Sequence, residues 1–227
     1  MGQLTASIAH EVNQPIAATV TSAQAALRWL RAQPPNIGEV DQVLSRIVKD
    51  STRAADVLGR IRQMVKKAPP RKEPVDINEA IREVIELTRG EVAKSGASVE
   101  TQLSDGLPLI EGDRVELQQV LLNLIVNALE AMSGVSEDAR HLQIDTQHDD
   151  SNCVLVTVRD SGPGFSVQNT EHIFAPFYTS KPTGLGMGLS ICRSIIDAHG
   201  GRLWASPNEP RGATVQFTVP AHAALPT

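Results

Sequence analysis

Val40, Leu44, Ile47, Ser51, Ala54, Leu58, Ile61 and Val65 follow one another by alternating steps of four and three, a heptad seam kept without a miss over more than three heptads. That spacing holds one side of an α-helix together and cannot serve a strand, whose side chains change face at every residue. The seam predicts a long helix over 38–67. Ahead of it, Leu4, Ile8, Val12, Ile16 and Val20 recur every four residues and Leu27 and Leu30 extend the stripe, so residues 1–31 predict another amphipathic helix. Gln33-Pro34-Pro35-Asn36 separates the two, because consecutive prolines cannot continue a helix. The expected product is an antiparallel helical hairpin. One hairpin cannot bury two apolar seams by itself, which makes a homodimer, a four-helix bundle of two protomers, the economical arrangement.

Residues 66–74 are charged, proline-rich and empty of large apolar side chains. They predict a linker over 69–75 between a hairpin domain of residues 1–68 and a second domain of residues 76–222. There, Asp76 caps a helix over 77–94 whose buried face comprises Ile81, Val84, Ile85, Leu87 and Val92. Residues 98–103 alternate as a strand, Leu109-Ile110 belong to a second short one, and 113–132 form the most apolar helix of the chain. Strands over 141–148 and 152–160 flank the turn signal Asp149-Asp150-Ser151-Asn152. Residues 161–183 read as a loop with one helical turn, 186–199 as a helix stopped by Gly200-Gly201, and 202–206 and 214–219 as closing strands. The class is therefore α+β, a helical hairpin followed by a two-layer α/β sandwich.

Composition narrows the function. A net charge of −5 over 227 residues gives no basic field for nucleic acid or an anionic membrane surface. No stretch approaches the roughly 20 apolar residues of a membrane span, so no membrane contact is expected. Cys153 and Cys192 form neither a CxxC pair nor a metal-spaced cluster, which points to packed thiols in a reducing cytoplasm.

Four stretches carry chemistry. In Ser7-Ile8-Ala9-His10-Glu11-Val12-Asn13-Gln14-Pro15-Ile16, His10 lies off the apolar stripe and points outward. A lone outward histidine is more often a solvated surface group. Here Glu11 can take the proton of one ring nitrogen and leave the other as a nucleophilic lone pair. Gln14 comes round to the same side one turn on, and Pro15 predicts a kink. Asn123 and Asn127 share one face of the apolar helix; such a pair serves local hydrogen bonds as readily as a site, and its amide oxygens suit Mg²⁺ carried by phosphates. Asp160-Ser161-Gly162-Pro163-Gly164 ends a strand, with a carboxylate able to accept the exocyclic amine of adenine and glycines that let backbone come close. Gly184-Leu185-Gly186-Met187-Gly188-Leu189 opens a helix, where free amides and the dipole face phosphate. It lacks the GK[ST] ending of a P-loop and the preceding strand of a dinucleotide fold.

The stretch from Ser7 to Ile16 resembles the phosphoacceptor box of sensor histidine kinases. The asparagine pair, DxGxG, FAPFYTSK, GLGMGL and GATVQFTVP, in that order, resemble the ATP-binding domain that these kinases share with DNA gyrase and MutL-type ATPases. The resemblance runs from His10 to Pro220. It implies ATP-dependent autophosphorylation of His10, with Glu11 accepting the Nδ1 proton, then transfer to an aspartate on a response-regulator receiver domain. Gln14 stands where related kinases orient a hydrolytic water, implying phosphatase action on that partner. The resemblance further implies Mg²⁺ at Asn127 with Asn123 as companion, and adenine at Asp160 with Thr214 acting through a water. Gly162 and Gly164 would shape the base pocket, and residues 166–183 would form a short lid with Phe174, Phe177 and Lys181. Gly184, Gly186 and Gly188 would lie beside the triphosphate. Two positions depart from the family. Asn123 stands where hydrolytic relatives carry a water-activating glutamate, which favours transfer to a protein nucleophile. Glu130 stands where many kinases carry lysine, leaving phosphate charge to Lys181 or, second, Arg193. A nucleotide-gated dimeric scaffold without phosphotransfer and a gyrase-type hydrolase are the rival readings. The presence of His10, Glu11, Asn127 and Asp160 counts against the first, and Asn123 against the second.

Overall fold

The structure, a computed structural model, describes residues 2–48, 51, 72–149, 151–166, 170–179 and 186–222, with the backbone alone over 2–16 and at Asp138. The chain divides into two compact units, Met1–Ala68 and Pro69–Thr227.

In the first unit, helix α1 (Gly2–Arg31) continues past Pro15 and ends with Arg28 and Arg31 in its last turn, where cations suit the negative end of the dipole. Asn36 makes the corner after the two prolines. Its N–H donates to the carbonyl of Trp29 at 3.1 Å, and its Oδ1 accepts the N–H of Glu39 at 3.2 Å, capping helix α2 (37–48). Beyond 48 the predicted seam, Ser51 excepted, lies outside the described residues. Ala26 and Val43 are buried, while Val20, Leu27, Leu30, Leu44 and Val48 are exposed. The heptad spacing places Leu44 on the seam, yet the buried position is Val43, about 100° round the helix. Leu44 is instead among the apolar side chains left exposed.

The second unit opens with strand β1 (Glu73–Val75), which pairs antiparallel with β3 (Ile110–Gly112), Val75 opposite Ile110. The linker expected over 69–75 is thus shorter, because Val75 is a buried apolar side chain and Pro74 is tolerated in so short a two-stranded ladder. The main sheet has the order β2 (Ser98–Leu103), β4 (His141–His148), β5 (Cys153–Asp160), β7 (Ala213–Pro220), β6 (Arg202–Pro207). Only the β2 and β4 pair is parallel. Alternation decides what each face meets. Register aligns Ile144 with Val158, Thr146 with Val156 and Val156 with Phe217, all buried, whereas Gln143, Asp145, Arg159 and Gln216 occupy the other parity.

Helices α3 (Ile77–Ser95), α4 (Arg114–Ala131) and α5 (Gly188–Ala198) supply the second layer. Asp76 accepts the N–H of Glu79 and Asp113 those of Val115 and Glu116, so each acid starts its helix. Gly96, at φ 64°, ends α3 in the left-handed region. On α3 the buried set is Ile77, Ala80, Ile81, Val84 and Thr88; Leu87, expected inside, is exposed, and the Thr88 hydroxyl satisfies itself on the carbonyl of Val84 at 2.9 Å. Asn78 ties α3 to the sheet, donating to the carbonyl of Ser104 and accepting from the Thr146 hydroxyl, both at 2.8 Å. At the far end of α5, the buried His199 donates from Nδ1 to the carbonyl of Ile195 at 2.7 Å and accepts the N–H of Asp113 on Nε2 at 2.9 Å. It therefore fastens the end of α5 to the start of α4.

Gly112 is the tight point of this latch. A Cβ there would stand 2.7 Å from His199 Cδ2 and 2.9 Å from Leu117 Cδ1, whereas one on Gly90 of α3 would meet nothing within 4 Å. Urea unfolding of Gly112→Ala should show a loss of about 1–3 kcal/mol from overpacking. Gly90→Ala should gain about 0.5–1 kcal/mol through helix propensity. Equal stabilities of the two variants would contradict the packing described.

Candidate functional site

Helix α4 carries the centre of the site. Its buried stripe is Leu117, Val120, Leu121, Leu124, Ile125, Ala128 and Leu129, and it has nothing to satisfy a polar group. Asn123 and Asn127 stand at the edge of that stripe, half-buried, one turn apart. Helix α5 packs against this edge. A Cβ on Gly188, the first residue of α5, would lie 3.5 Å from Nδ2 of Asn127, so the glycine box and the second asparagine are in contact. One turn away, Cys192 of α5 is wholly buried and its thiol donates to the carbonyl of Val120 on α4 at 3.9 Å.

Several glycines are where they are because backbone occupies the space a side chain needs. Gly186, at φ 63°, faces the backbone of Phe177 and Tyr178, with a Cβ position 2.6 Å from the Tyr178 carbonyl carbon. The Phe177 N–H donates to the Gly186 carbonyl at 3.0 Å, and Phe177 itself has φ 67°. Phe174 is buried under the Arg193 guanidinium, which sits 4.3 Å from the ring centroid. Arg193, the second candidate for phosphate charge, is therefore stacked on an aromatic face. Lys181 and Gly184 lie outside the described residues. Met187 gives α5 no side-chain cap, leaving its first amides without that partner.

Asp160 closes β5 with 8% of its surface exposed, and its Oδ1 accepts the N–H of Gly162 at 2.8 Å. A Cβ on Gly162 would stand 2.8 Å from that oxygen and 3.3 Å from the Cβ of Ala131 at the end of α4, so a side chain there would press on both the carboxylate and the helix. Gly164, at φ 72°, lies against the backbone of Gly212, and Asn208 donates to the carbonyl of Asp160 at 3.2 Å. The DxGxG turn and the turn before β7 are thus sewn together.

Thr214 is a correction. In the ladder Asp160 faces Ala213, while Thr214 faces Arg159, and consecutive residues of a strand point to opposite sides. The Thr214 hydroxyl donates to Asn208 Oδ1 at 2.5 Å and accepts from Arg159 Nε at 3.3 Å. Its side chain belongs to the other face of the sheet from the Asp160 carboxylate. Asn208, Gly212 and Cys192 are the residues that sequence reasoning missed. The turn-forming run Pro207-Asn208-Glu209-Pro210-Arg211-Gly212 was the available signal for the first two, and a cysteine amid helical apolar residues offers none.

The cleft so built joins an amide edge, a buried carboxylate beside close backbone, and an uncapped helix start. These suit, in turn, a hard cation travelling with phosphates, the amine edge of a base, and phosphate oxygens. Among the described residues no three His, Cys, Asp or Glu side chains stand together as a metal cage, so a cation beside Asn127 would take its remaining ligands from phosphate and water. Glu130 is exposed on α4, and His10, Glu11 and Gln14 all fall within α1 of the first unit.

Residues 112–223 match the model of the histidine kinase-, DNA gyrase B- and HSP90-like ATPases, and residues 1–70 match that of the His Kinase A (phospho-acceptor) domain. The chain is 38% identical over 221 residues to the sensor histidine kinase TmoS of Ectopseudomonas mendocina, covering 97% of this chain and 23% of that protein. It is 37% identical over 222 residues to the sensor protein FixL of Bradyrhizobium diazoefficiens, covering 97% and 44%. The chain thus spans less than half the length of these relatives. Among solved structures, the catalytic domain of histidine kinase ThkA aligns with a TM-score of 0.59 and 36% identity over 66% of this chain and 95% of that one. ThkA solved in complex with the response regulator protein TrrA aligns with a TM-score of 0.72 and 28% identity over 97% of this chain and 62% of that one. With a phospho-acceptor helix at one end and an asparagine, carboxylate and glycine cleft of the gyrase type at the other, this chain belongs to the sensor histidine kinases of two-component signalling.

Proposed function

We propose that the chain binds ATP in the cleft on α4, phosphorylates His10, and passes the phosphoryl group to an aspartate of a response-regulator receiver domain. The observation that carries this reading is the convergence on one helix of Asn127 against Gly188 and of Asp160 and Gly162 against Ala131. A relative solved with its response regulator supports the choice of partner. Residues 1–68 act as dimerisation and phosphoacceptor domain, 76–222 with the preceding strand as ATP-binding domain, and the stretch between as tether, in a core that works in the cytoplasm. No described helix is long and apolar enough to cross a membrane.

In this mechanism Asp160 holds the adenine amine while Gly162 keeps the approach to it open. Asn127 would hold Mg²⁺ through its amide oxygen, and that cation would supply charge to offset the transferring phosphoryl group. His10 attacks through Nε2 in line with the bond to the leaving ADP: the Nε2–P bond forms, the bridging P–O bond breaks, and Glu11 takes the proton from Nδ1. Asn123, an amide, cannot serve as base toward water, which directs the phosphoryl group to the histidine. Gln14 positions water for the reverse duty, dephosphorylation of the regulator. The uncovered row of Val20, Leu27, Leu30, Leu44 and Val48 fits a second protomer completing a bundle.

With γ-labelled ATP the parent should acquire base-stable, acid-labile protein-bound label, and His10→Gln should acquire none; parental labelling of that variant would defeat the assignment. Asp160→Asn should weaken binding of a non-hydrolysable ATP analogue by about tenfold or more, the cost of an unpaired hydrogen bond to a charged group. Dephosphorylation of the phosphorylated regulator should fall in Gln14→Ala with autophosphorylation kept. Light scattering should give twice the 24.4 kDa chain mass for the parent and the single mass for Leu44→Glu.

A further inference from the structure

Arg193 lies on the flank of α5, beside the buried stripe of Ile191, Cys192, Ile195 and Ile196, and is itself half-buried. Its guanidinium stands 4.3 Å from the centroid of the Phe174 ring, and Phe174, closing the short helical turn His172–Phe174, is 3% exposed. A cation over a ring face that is partly out of water is held more firmly than one in open solvent. Beyond Phe174 the chain turns twice, the N–H of Ala175 donating to the carbonyl of His172 at 2.9 Å and that of Tyr178 to the carbonyl of Ala175 at 3.2 Å. There it crosses Gly186: the Phe177 N–H donates to the Gly186 carbonyl at 3.0 Å, and a Cβ on Gly186 would have no room against the Phe177 and Tyr178 backbone. The segment 172–178 is thus fastened twice to one stretch of chain, by its ring at Arg193 and by its backbone at Gly186. Phe177 stands between the two fastenings at φ 67°, a conformation that a bulky side chain keeps only where its surroundings impose it.

We propose that Arg193 is a positioning residue of the nucleotide site: by stacking on Phe174 it holds the segment 172–178 along α5, and so fixes the crossing at Gly186 from which the chain enters α5 at Gly188. This role rests on the nucleotide-binding reading above, in which the first amides of α5 face phosphate, and it needs no contact between Arg193 and phosphate. From Gly188 to Arg193 the helix rises about 7.5 Å at 1.5 Å per residue, so the stack and the crossing bear on one rigid lever. Without the stack, the hydrogen bond from Phe177 to Gly186 has to oppose the left-handed backbone of Phe177 unaided by the ring beside it. The start of α5, which has no side-chain cap, then loses its fixed approach.

The test compares Arg193→Met, which keeps length and loses the cation, with Arg193→Lys, whose ammonium also binds a ring face, and with Phe174→Leu, which removes the ring. Binding of a non-hydrolysable ATP analogue to the full chain is titrated at saturating Mg²⁺, and thermal melting is followed alongside. Arg193→Met should weaken binding about three- to tenfold, the worth of one partly desolvated cation–π contact, with Arg193→Lys within about twofold of the parent. In the Phe174→Leu background, Arg193→Met should cost nothing further, because the ring through which it acts is gone. An arginine that touched phosphate would keep its full penalty in that background, and such additive losses would overturn the proposal. So would a lower melting temperature for Arg193→Met with binding at the parental value, the mark of a merely structural stack. If Phe174→Leu does not fold, Phe174→Met, which also removes the ring, takes its place. A parent that binds no analogue at all would instead overturn the proposed function.

Discussion

The second unit depends on how one helix reconciles two demands. Helix α4 must bury an apolar stripe from Leu117 to Leu129 on the sheet, and it must keep Asn123 and Asn127 at the edge, where they meet other groups. The stripe stabilises the unit, since each fully buried Leu or Ile contributes roughly 1.5–3 kcal/mol. Its depth also settles everything that touches α4. The helix start is clamped by Asp113 and His199, its edge by Gly188 and Cys192, and its end by Gly162 against Ala131. A cleft with three walls follows from the seating of a single rod.

The glycines of the second unit are spacers in this arrangement. Gly162 permits the contact between the Asp160 carboxylate and α4, Gly186 permits the crossing of two backbone segments, and Gly164 and Gly212 permit two turns to touch. Each removes a side chain at the spot where backbone or a functional group has to come close. That is why glycines from three separate segments serve one cleft, and why their substitution would act on the site by sterics before chemistry.

The first unit obeys another logic. Its two helices are defined by proline and by the Asn36 cap, and among its described residues Ala26 and Val43 are the buried apolar side chains. A row of Val, Leu and Trp side chains open to solvent is a costly surface for an isolated hairpin and a suitable one for a shared bundle. Against Ala26 and Val43 as the buried apolar side chains described there, the unit that carries Asp160 has a core of its own.

Much of this was legible in the sequence because it depends on short-range rules. Period and proline marked the hairpin, the capping Asp76 marked the start of α3, apolar composition marked α4, and alternation marked β4 and β5 to within one residue. The asparagine, DxGxG and glycine boxes likewise declared themselves by composition and order. Tertiary structure alone decided which neighbours those residues acquired. Ladder register put Ala213 and not Thr214 opposite Asp160, the fold recruited Val75 into a strand that charge and proline had disguised as linker, and helix packing chose Thr88 over Leu87 and Val43 over Leu44 for burial. It also brought the Cys192 thiol to the carbonyl of Val120 and stacked Arg193 on Phe174. The reason is that periodicity specifies a face to within a residue or so, while a one-residue rotation about a helix, or one step along a strand, exchanges one partner for another.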